Sequence, residues 1–124
     1  MRVFKTKYFN NWAKDQSLSD KNLFDAAKEV AEGKYEASLG KKIFKKRIAL
    51  AGKGKSGSTR NIIAFQKDNN SFFMYGFAKN ERTNITAKEL TALQMAAKIY
   101  LEKTDKQLDK AVKESILFEV KDDE

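Results

Sequence analysis

The sequence predicts an α+β fold: a small antiparallel sheet of three to five strands, backed on one face by N-terminal and C-terminal helices. Three observations support this class. Strand-like and helix-like segments follow each other in the order β, α, α, three strands, then helices. Several helix starts carry recognisable capping residues. Two consecutive segments are apolar at nearly every position, as in central strands. The 124 residues are enough for one domain with a modest core.

The N-terminal third is predicted to form one strand and two helices. Arg2–Thr6 contains β-forming residues, and apolar side chains at helical spacing follow it. The second helix begins after Ser19, a preferred N-cap residue, and ends at Gly33. Residues 34–42 are then predicted to be a connection.

The middle of the chain is predicted to form three strands. Ile43–Leu50 alternates as a strand does, and a glycine-rich basic loop over residues 51–58 follows. Thr59–Lys67 and Ser71–Ala78 are predicted to form a hairpin, because the residues between them, Asp68-Asn69-Asn70, have the composition of a turn.

Two helices and a tail complete the predicted elements. Thr86 and Glu89 form a capping box at the start of the third helix, and Thr104 with Gln107 starts a fourth. The tail Ile116–Val120 is either a short strand or a docking segment.

Positive charge is concentrated in one part of the chain. The formal net charge is +8, and residues 37–67 contain nine Lys or Arg and no Asp or Glu. Three interpretations remain open: a solvated face without a partner, a surface that only binds RNA or an acidic protein, and a ribonuclease site.

The predicted strands divide these cations between two faces. Lys45 and Arg47 alternate with the apolar side chains and should point away from the N-terminal helices, whereas Lys46 shares the face of Phe44. Arg60 opens one strand of the hairpin and Lys79 follows the other. We therefore expect Arg60 and Lys79 to meet at one edge of the sheet.

Residue types restrict the chemistry. The chain has no His and no Cys, which removes the commonest acid–base catalyst and any thiolate metal site. RNA carries its own nucleophile, the 2′-hydroxyl, so an RNase that orients it needs no metal, no cofactor and no enzyme nucleophile. The segment over residues 52–57 lacks the spacing of a P-loop. No apolar run has the length of a membrane span, and we expect a soluble cytoplasmic protein without membrane contacts.

Two motifs resemble the RelE/HigB superfamily of type II toxin–antitoxin toxins, in its RelE-like branch. The pattern R-x-A-x-x-G-x-G-K-x-G-x-x-R is followed by F-x-K-N-E. The residues that match are Arg47, Ala49, Gly52, Gly54, Lys55, Gly57 and Arg60, then Phe77, Lys79, Asn80 and Glu81. The similarity covers roughly residues 1–101. We therefore expect a single RelE-like domain over residues 1–124, with a core over about 1–101 and a helical C-terminal extension over 102–124.

The resemblance implies a microbial-RNase-like fold and ribosome-dependent cleavage of mRNA in the A site. Arg60 would hold the scissile phosphate, Arg47 and Lys79 would stabilise the transition state, and either Lys53 or Lys55 would move protons. Asn80 falls beside Lys79 in the family's catalytic pair, or is a turn residue that orients the loop. Further contacts to RNA are assigned to the remaining basic residues: Lys41, Lys42, Lys45, Lys46 and Arg82.

The resemblance also implies a partner. This partner is a cognate antitoxin, expected to be a small helix-turn-helix protein that binds DNA. The toxin is expected to contact DNA only indirectly, through this antitoxin. Two alternatives stay open: a ParE-type toxin, which binds DNA gyrase without catalysis, and a plain RNA-binding module. Arg82 and Glu81 are equally compatible with a surface ion pair.

Overall fold

The computed structural model describes residues 1–50, 57–68 and 70–122. Over these ranges the chain forms six strands and four helices. In chain order they are β1 (Val3–Thr6), α1 (Lys7–Asp15), α2 (Asp20–Ala31), β2 (Ala37–Ser38), β3 (Ile43–Ala49), β4 (Ser58–Phe65), β5 (Ser71–Ala78), α3 (Ala87–Leu101), α4 (Asp105–Lys113) and β6 (Leu117–Val120). The predicted α+β class is confirmed.

All six strands belong to one sheet, in the order β2-β3-β4-β5-β1-β6. The β3–β4 and β4–β5 pairs are antiparallel, but β1 enters between β5 and β6 and runs parallel to β5. The sheet is mostly antiparallel, as predicted, but it has six strands instead of three to five and contains one parallel pair. The additional strands are short: β2 lies within the predicted connection 34–42, and β6 takes the strand alternative left open for the tail.

Helices cover both faces of the sheet, which corrects the prediction of one. Leu23 of α2 packs with Phe9, Ile63 and Phe73 on one face, here called the α1–α2 face. On the other, here called the α3 face, the sheet packs on α3 and α4. The buried residues there include Ile43, Ile62, Phe77, Ala97, Leu101 and Leu108. Strands β4 and β5 are apolar on both sides, and such strands need a cover on each side.

Helix α1 approaches β5 closely because Gly76 has no side chain. Trp12 of α1 lies directly over Gly76, so a Cβ there would collide with the indole ring. This contact fixes α1 against the half of β5 that extends beyond the end of β1, and it places the first turn of α1 beside the free edge of β5.

The C-terminal segment is part of the sheet and of its core. Strand β6 pairs with β1, and Leu108 and Leu117 are fully buried. Arg2 joins the two ends of the chain: its guanidinium lies 2.8 Å from Asp109 of α4 and 2.8 Å from Glu119 of β6. No helix in the described ranges has the length and apolar character needed to span a bilayer.

Candidate functional site

Arg60 is a buried cation in the centre of the sheet. It lies on β4, is only 7 % exposed, and pairs across the strands with Phe77 of the α3 face. Its Nε donates to Glu36 Oε1 at 2.9 Å, whereas its Nη1 is buried and has no hydrogen-bond partner among the described residues. A buried, incompletely paired guanidinium costs folding free energy, and an anionic ligand would reduce that cost.

Arg47 stands directly beside Arg60. The two residues are register partners on β3 and β4, so their side chains lie on the same face. The Arg47 side chain is exposed, and its Nε donates to Ser58 Oγ at 3.0 Å. Like charges opposite each other on neighbouring strands are destabilising. An anion bound between the two side chains would reduce this repulsion.

Glu36 is an acidic contact of Arg60 that the sequence analysis did not predict. Besides Arg60, its carboxylate contacts Lys45, with Nζ at 3.6 Å from Oε1. The backbone N–H of Glu36 donates to the Lys45 carbonyl at 2.9 Å, next to the two-residue pairing of β2 with β3. The acid-free window begins at Ala37, one residue later, so Glu36 was left out of the basic surface that it neutralises in part.

Arg60 and Lys79 were predicted to meet at one edge of the sheet. The backbone confirms this at the edge where β4 begins and β5 ends. The Lys79 N–H donates to the Ser58 carbonyl at 3.3 Å, and Ser58 lies two residues before Arg60 on the same strand. Lys79 and Asn80 are both exposed in the turn after β5. Ser58, which is 1 % exposed, thus contacts Arg47 through its hydroxyl and Lys79 through its carbonyl.

Lys45 and Lys46 lie on opposite faces, as the alternation predicts. Lys45 is on the face of Arg47 and contacts Glu36. Lys46 is on the α1–α2 face, where its Nζ lies 3.1 Å from Glu29 Oε1 and donates to the Lys34 carbonyl at 3.0 Å. The structure therefore does not bring Lys46 to the other cations assigned to RNA contacts.

Lys41 and Lys42 are also separate from the arginine pair. Both are exposed in the turn before β3, at the end of the strand away from Arg47. Lys42 and Arg47 are five positions apart along the strand, or about 16 Å. Lys42 Nζ donates to Gln66 Oε1 at 3.1 Å. These two lysines line a cavity of about 490 Å³ beside α3.

Arg82 is held by several partners. Its Nη2 lies 2.6 Å from Glu89 Oε1, and its Nη1 donates to the Tyr75 hydroxyl at 3.0 Å. Its guanidinium carbon is 5.6 Å from the centre of the Phe77 ring. The predicted alternative of an ion pair thus holds for Arg82, but the acid is Glu89 and not Glu81. Hydrogen bonds from Arg82 and from the Thr86 N–H lower the pKa of Glu89 to about 2.

The two lysines assigned to proton transfer, Lys53 and Lys55, lie outside the described residues, as do Gly52 and Gly54. The described chain resumes at Gly57, next to Ser58. The site is therefore described at its arginine pair, at Glu36 and at the Lys79 turn.

Comparison with known proteins gives the family. The profile described as the RelE toxin of the RelE / RelB toxin–antitoxin system matches residues 1–120. Searches of curated proteins and of solved structures found no significant match. Since the family profile spans nearly the whole chain, the protein belongs to the RelE toxin family: it is the toxin of a toxin–antitoxin system and has a cognate antitoxin as its partner.

Proposed function

We propose that this toxin is an endoribonuclease that cleaves mRNA in the ribosomal A site. The observation that carries the proposal is the arginine pair: Arg47 and Arg60 are side by side on paired strands, and the Nη1 of Arg60 is buried without a partner in the described part of the chain. Arginine recognises phosphate through paired N–H donors, and a central strand holds these donors in a fixed position.

The reaction needs only groups that RNA and basic side chains supply. The ribose 2′-oxygen attacks the adjacent phosphorus and loses its proton to a base. The bond from phosphorus to the 5′-oxygen breaks, and that oxygen takes a proton from an acid. The products are a 2′,3′-cyclic phosphate and a 5′-hydroxyl. Negative charge builds up on the phosphoryl oxygens in the transition state, where preorganised cations stabilise it.

The roles follow from position. Arg60 holds the scissile phosphate, and Arg47 beside it stabilises the charge that develops on the phosphoryl oxygens. Lys79 adds a third cation at the same edge of the sheet, next to Asn80. Lys53 and Lys55, which precede β4 in the sequence, carry the proton transfers, because a lysine can act as acid or base in a chain without His.

The proposal also covers where the toxin acts and which kind of antitoxin binds it. The toxin acts in the cytoplasm on translating ribosomes, and its antitoxin is a small helix-turn-helix protein that provides the link to DNA. A small adjacent reading frame that encodes such a protein would support this part. An adjacent frame without a DNA-binding motif would contradict it.

Induction of the toxin in growing cells tests the cleavage. Wild type should arrest growth and produce new mRNA 5′ ends within codons, whereas Arg60→Ala with Lys79→Ala should do neither. Because Arg60 is buried, Arg47→Ala is the second variant: its side chain is exposed, so the fold should remain. Lys21→Ala, an exposed lysine of α2, is the matched control and should remain toxic.

Each alternative gives a different result. DNA breaks and an SOS response without new mRNA ends would indicate a gyrase poison. Binding of RNA with a steep salt dependence but without cleavage, even with ribosomes, would indicate a plain RNA-binding module. Full toxicity of both Arg47→Ala and the double variant would refute the site.

A further inference from the structure

An aromatic strip leads from the arginine pair to the surface. It consists of Tyr8, Tyr75 and Phe77. Phe77 is the register partner of Arg60. Tyr75 lies two residues before Phe77 on the same face of β5, and their ring centres are 6.4 Å apart. Tyr8, from the first turn of α1, stacks on Tyr75 at 5.4 Å with 17° between the ring planes. Ring contacts therefore run from Phe77, which lies across the strands from Arg60, to the exposed ring of Tyr8.

Tyr8 is exposed although it is an aromatic residue. Its exposed fraction is 57 %, and one side of its ring lies on Tyr75, so the other side faces solvent. Helix α1 does not need this side chain for its packing, since its buried anchors are Phe9 and Ala13 on the opposite face of the sheet. The outer face of the Tyr8 ring is therefore available to a ligand.

The ring beneath Tyr8 is held in place. The Tyr75 hydroxyl accepts a hydrogen bond from Arg82 Nη1 at 3.0 Å, and the guanidinium of Arg82 is in turn fixed by Glu89. Partial burial and the neighbouring Tyr75 raise the pKa of the Tyr8 hydroxyl, so this group is uncharged at neutral pH and does not repel a polyanion. The result is an aromatic cluster that Arg82 holds in place, with the uncharged ring of Tyr8 at its exposed end.

We propose that the exposed face of Tyr8 stacks on a base of the RNA strand whose phosphate is held by Arg47 and Arg60. This inference rests on the proposed function. Proteins that bind single-stranded RNA combine cations for the backbone with aromatic rings for the bases. Here the two are joined by the strip. Stacking accepts every base because every base has a π face, so Tyr8 contributes affinity and the placement of the strand, with little selection of sequence.

Fluorescence of a base analogue tests the stack. The probes are short mRNAs that each carry 2-aminopurine at a different position near the scissile phosphate. All of them have a 2′-deoxy sugar at the cleavage site, which blocks the attack on phosphorus. They are used alone and on programmed ribosomes. Wild type should quench the fluorescence at one position. Tyr8→Phe should keep the quenching, and Tyr8→Leu, which still covers Tyr75, should lose it.

The matched control is Tyr35→Leu. Tyr35 is also partly exposed and also contacts an aromatic ring, Phe44, at 4.7 Å, but Phe44 packs on the α1–α2 face. Tyr8→Leu should raise the Kd for the probe roughly 5- to 150-fold, the effect of losing one stack of about 1–3 kcal/mol. Tyr35→Leu should leave the Kd within about twofold of wild type.

The outcomes separate this inference from the proposed function. Quenching that depends on Tyr8 without cleavage of the normal mRNA would support the stack and refute the nuclease. Cleavage with equal Kd and equal quenching in wild type and Tyr8→Leu would refute the stack alone. Absence of quenching at every position would also refute it. If Tyr8→Leu weakened binding of the antitoxin but not of the probe, Tyr8 would belong to a protein interface instead.

Discussion

Neutralising Glu36 should make the toxin less stable and its RNA binding tighter. Glu36→Gln keeps a side-chain oxygen that can accept from Arg60 Nε, but it removes the carboxylate charge shared with Lys45. The loss in stability is the difference between a charged and a neutral hydrogen bond, about 1–2 kcal/mol. At this chain length, each kcal/mol corresponds to a fall in Tm of about 3–5 °C.

The gain in binding has the same origin. The carboxylate now competes with a phosphate for the guanidinium of Arg60, and its removal leaves Arg60 and Lys45 without this acid. Each additional cation that binds a phosphate of single-stranded RNA steepens the dependence of log K on log salt by about 0.7. We therefore expect the slope for Glu36→Gln to be steeper than that of wild type by about 0.7–1.4.

Two measurements and one control decide this prediction. Thermal unfolding gives the change in stability, and titration of the non-cleavable 2′-deoxy probe over a range of salt concentrations gives the slope. Glu32→Gln is the control: it makes the same change in net charge, but Glu32 is exposed and its carboxylate contacts Lys34. Equal slopes and affinities for the two variants would refute the reasoning, because only net charge would then matter.

Two further predictions concern contacts that hold the elements around the site in place. The Arg82 guanidinium and the Thr86 N–H hold the pKa of Glu89 at about 2, below its ordinary value of 4.5, so its contribution to stability is complete above pH 4.5 and is lost as the pH falls towards 2. The difference in unfolding free energy between wild type and Glu89→Gln should shrink over that window; a constant difference would contradict the assignment. Gly76→Ala should cost about 1–3 kcal/mol, because the new methyl group collides with Trp12. Adding Trp12→Leu should recover part of that loss in chemical denaturation, and strictly additive effects would show that the two residues do not compete for space.

Local features of the fold could be predicted because their causes are local. The capping box predicted at Thr86 and the helix starts predicted at Ser19 and Thr104 are present, since a cap involves residues only three positions apart. The separation of Lys45 and Arg47 from the N-terminal helices also followed from the alternation of a single strand. These predictions needed no knowledge of which elements meet.

The rest depended on pairings between distant segments. Strand β1 meets β5 nearly 70 residues later in the chain, and no local pattern indicates a parallel partner. The sequence did contain a signal for the second helical layer: β4 and β5 are apolar on both faces, which requires a cover on both. The prediction that helices cover only one face of the sheet did not take this requirement into account.

Glu36 was missed for a related reason. Its contact with Arg60 joins residues 24 positions apart and is created by the two-residue strand β2, too short to show an alternating pattern. Lys46 was grouped with the RNA-binding cations only because it lies in a stretch of high positive charge. On a strand, charge density and facing direction are independent, because neighbouring side chains point to opposite sides.

The strands that carry Arg47 and Arg60 supply the rigidity that the proposed stabilisation of charge requires. Stabilising charge in a transition state needs donors that do not move when the charge develops. Arg47 and Arg60 lie on strands with hydrogen-bonded neighbours on both sides, and their mutual repulsion is offset only in part by Glu36. The arginines of the paired strands are therefore suited to hold the phosphate and to stabilise the charge that develops on it.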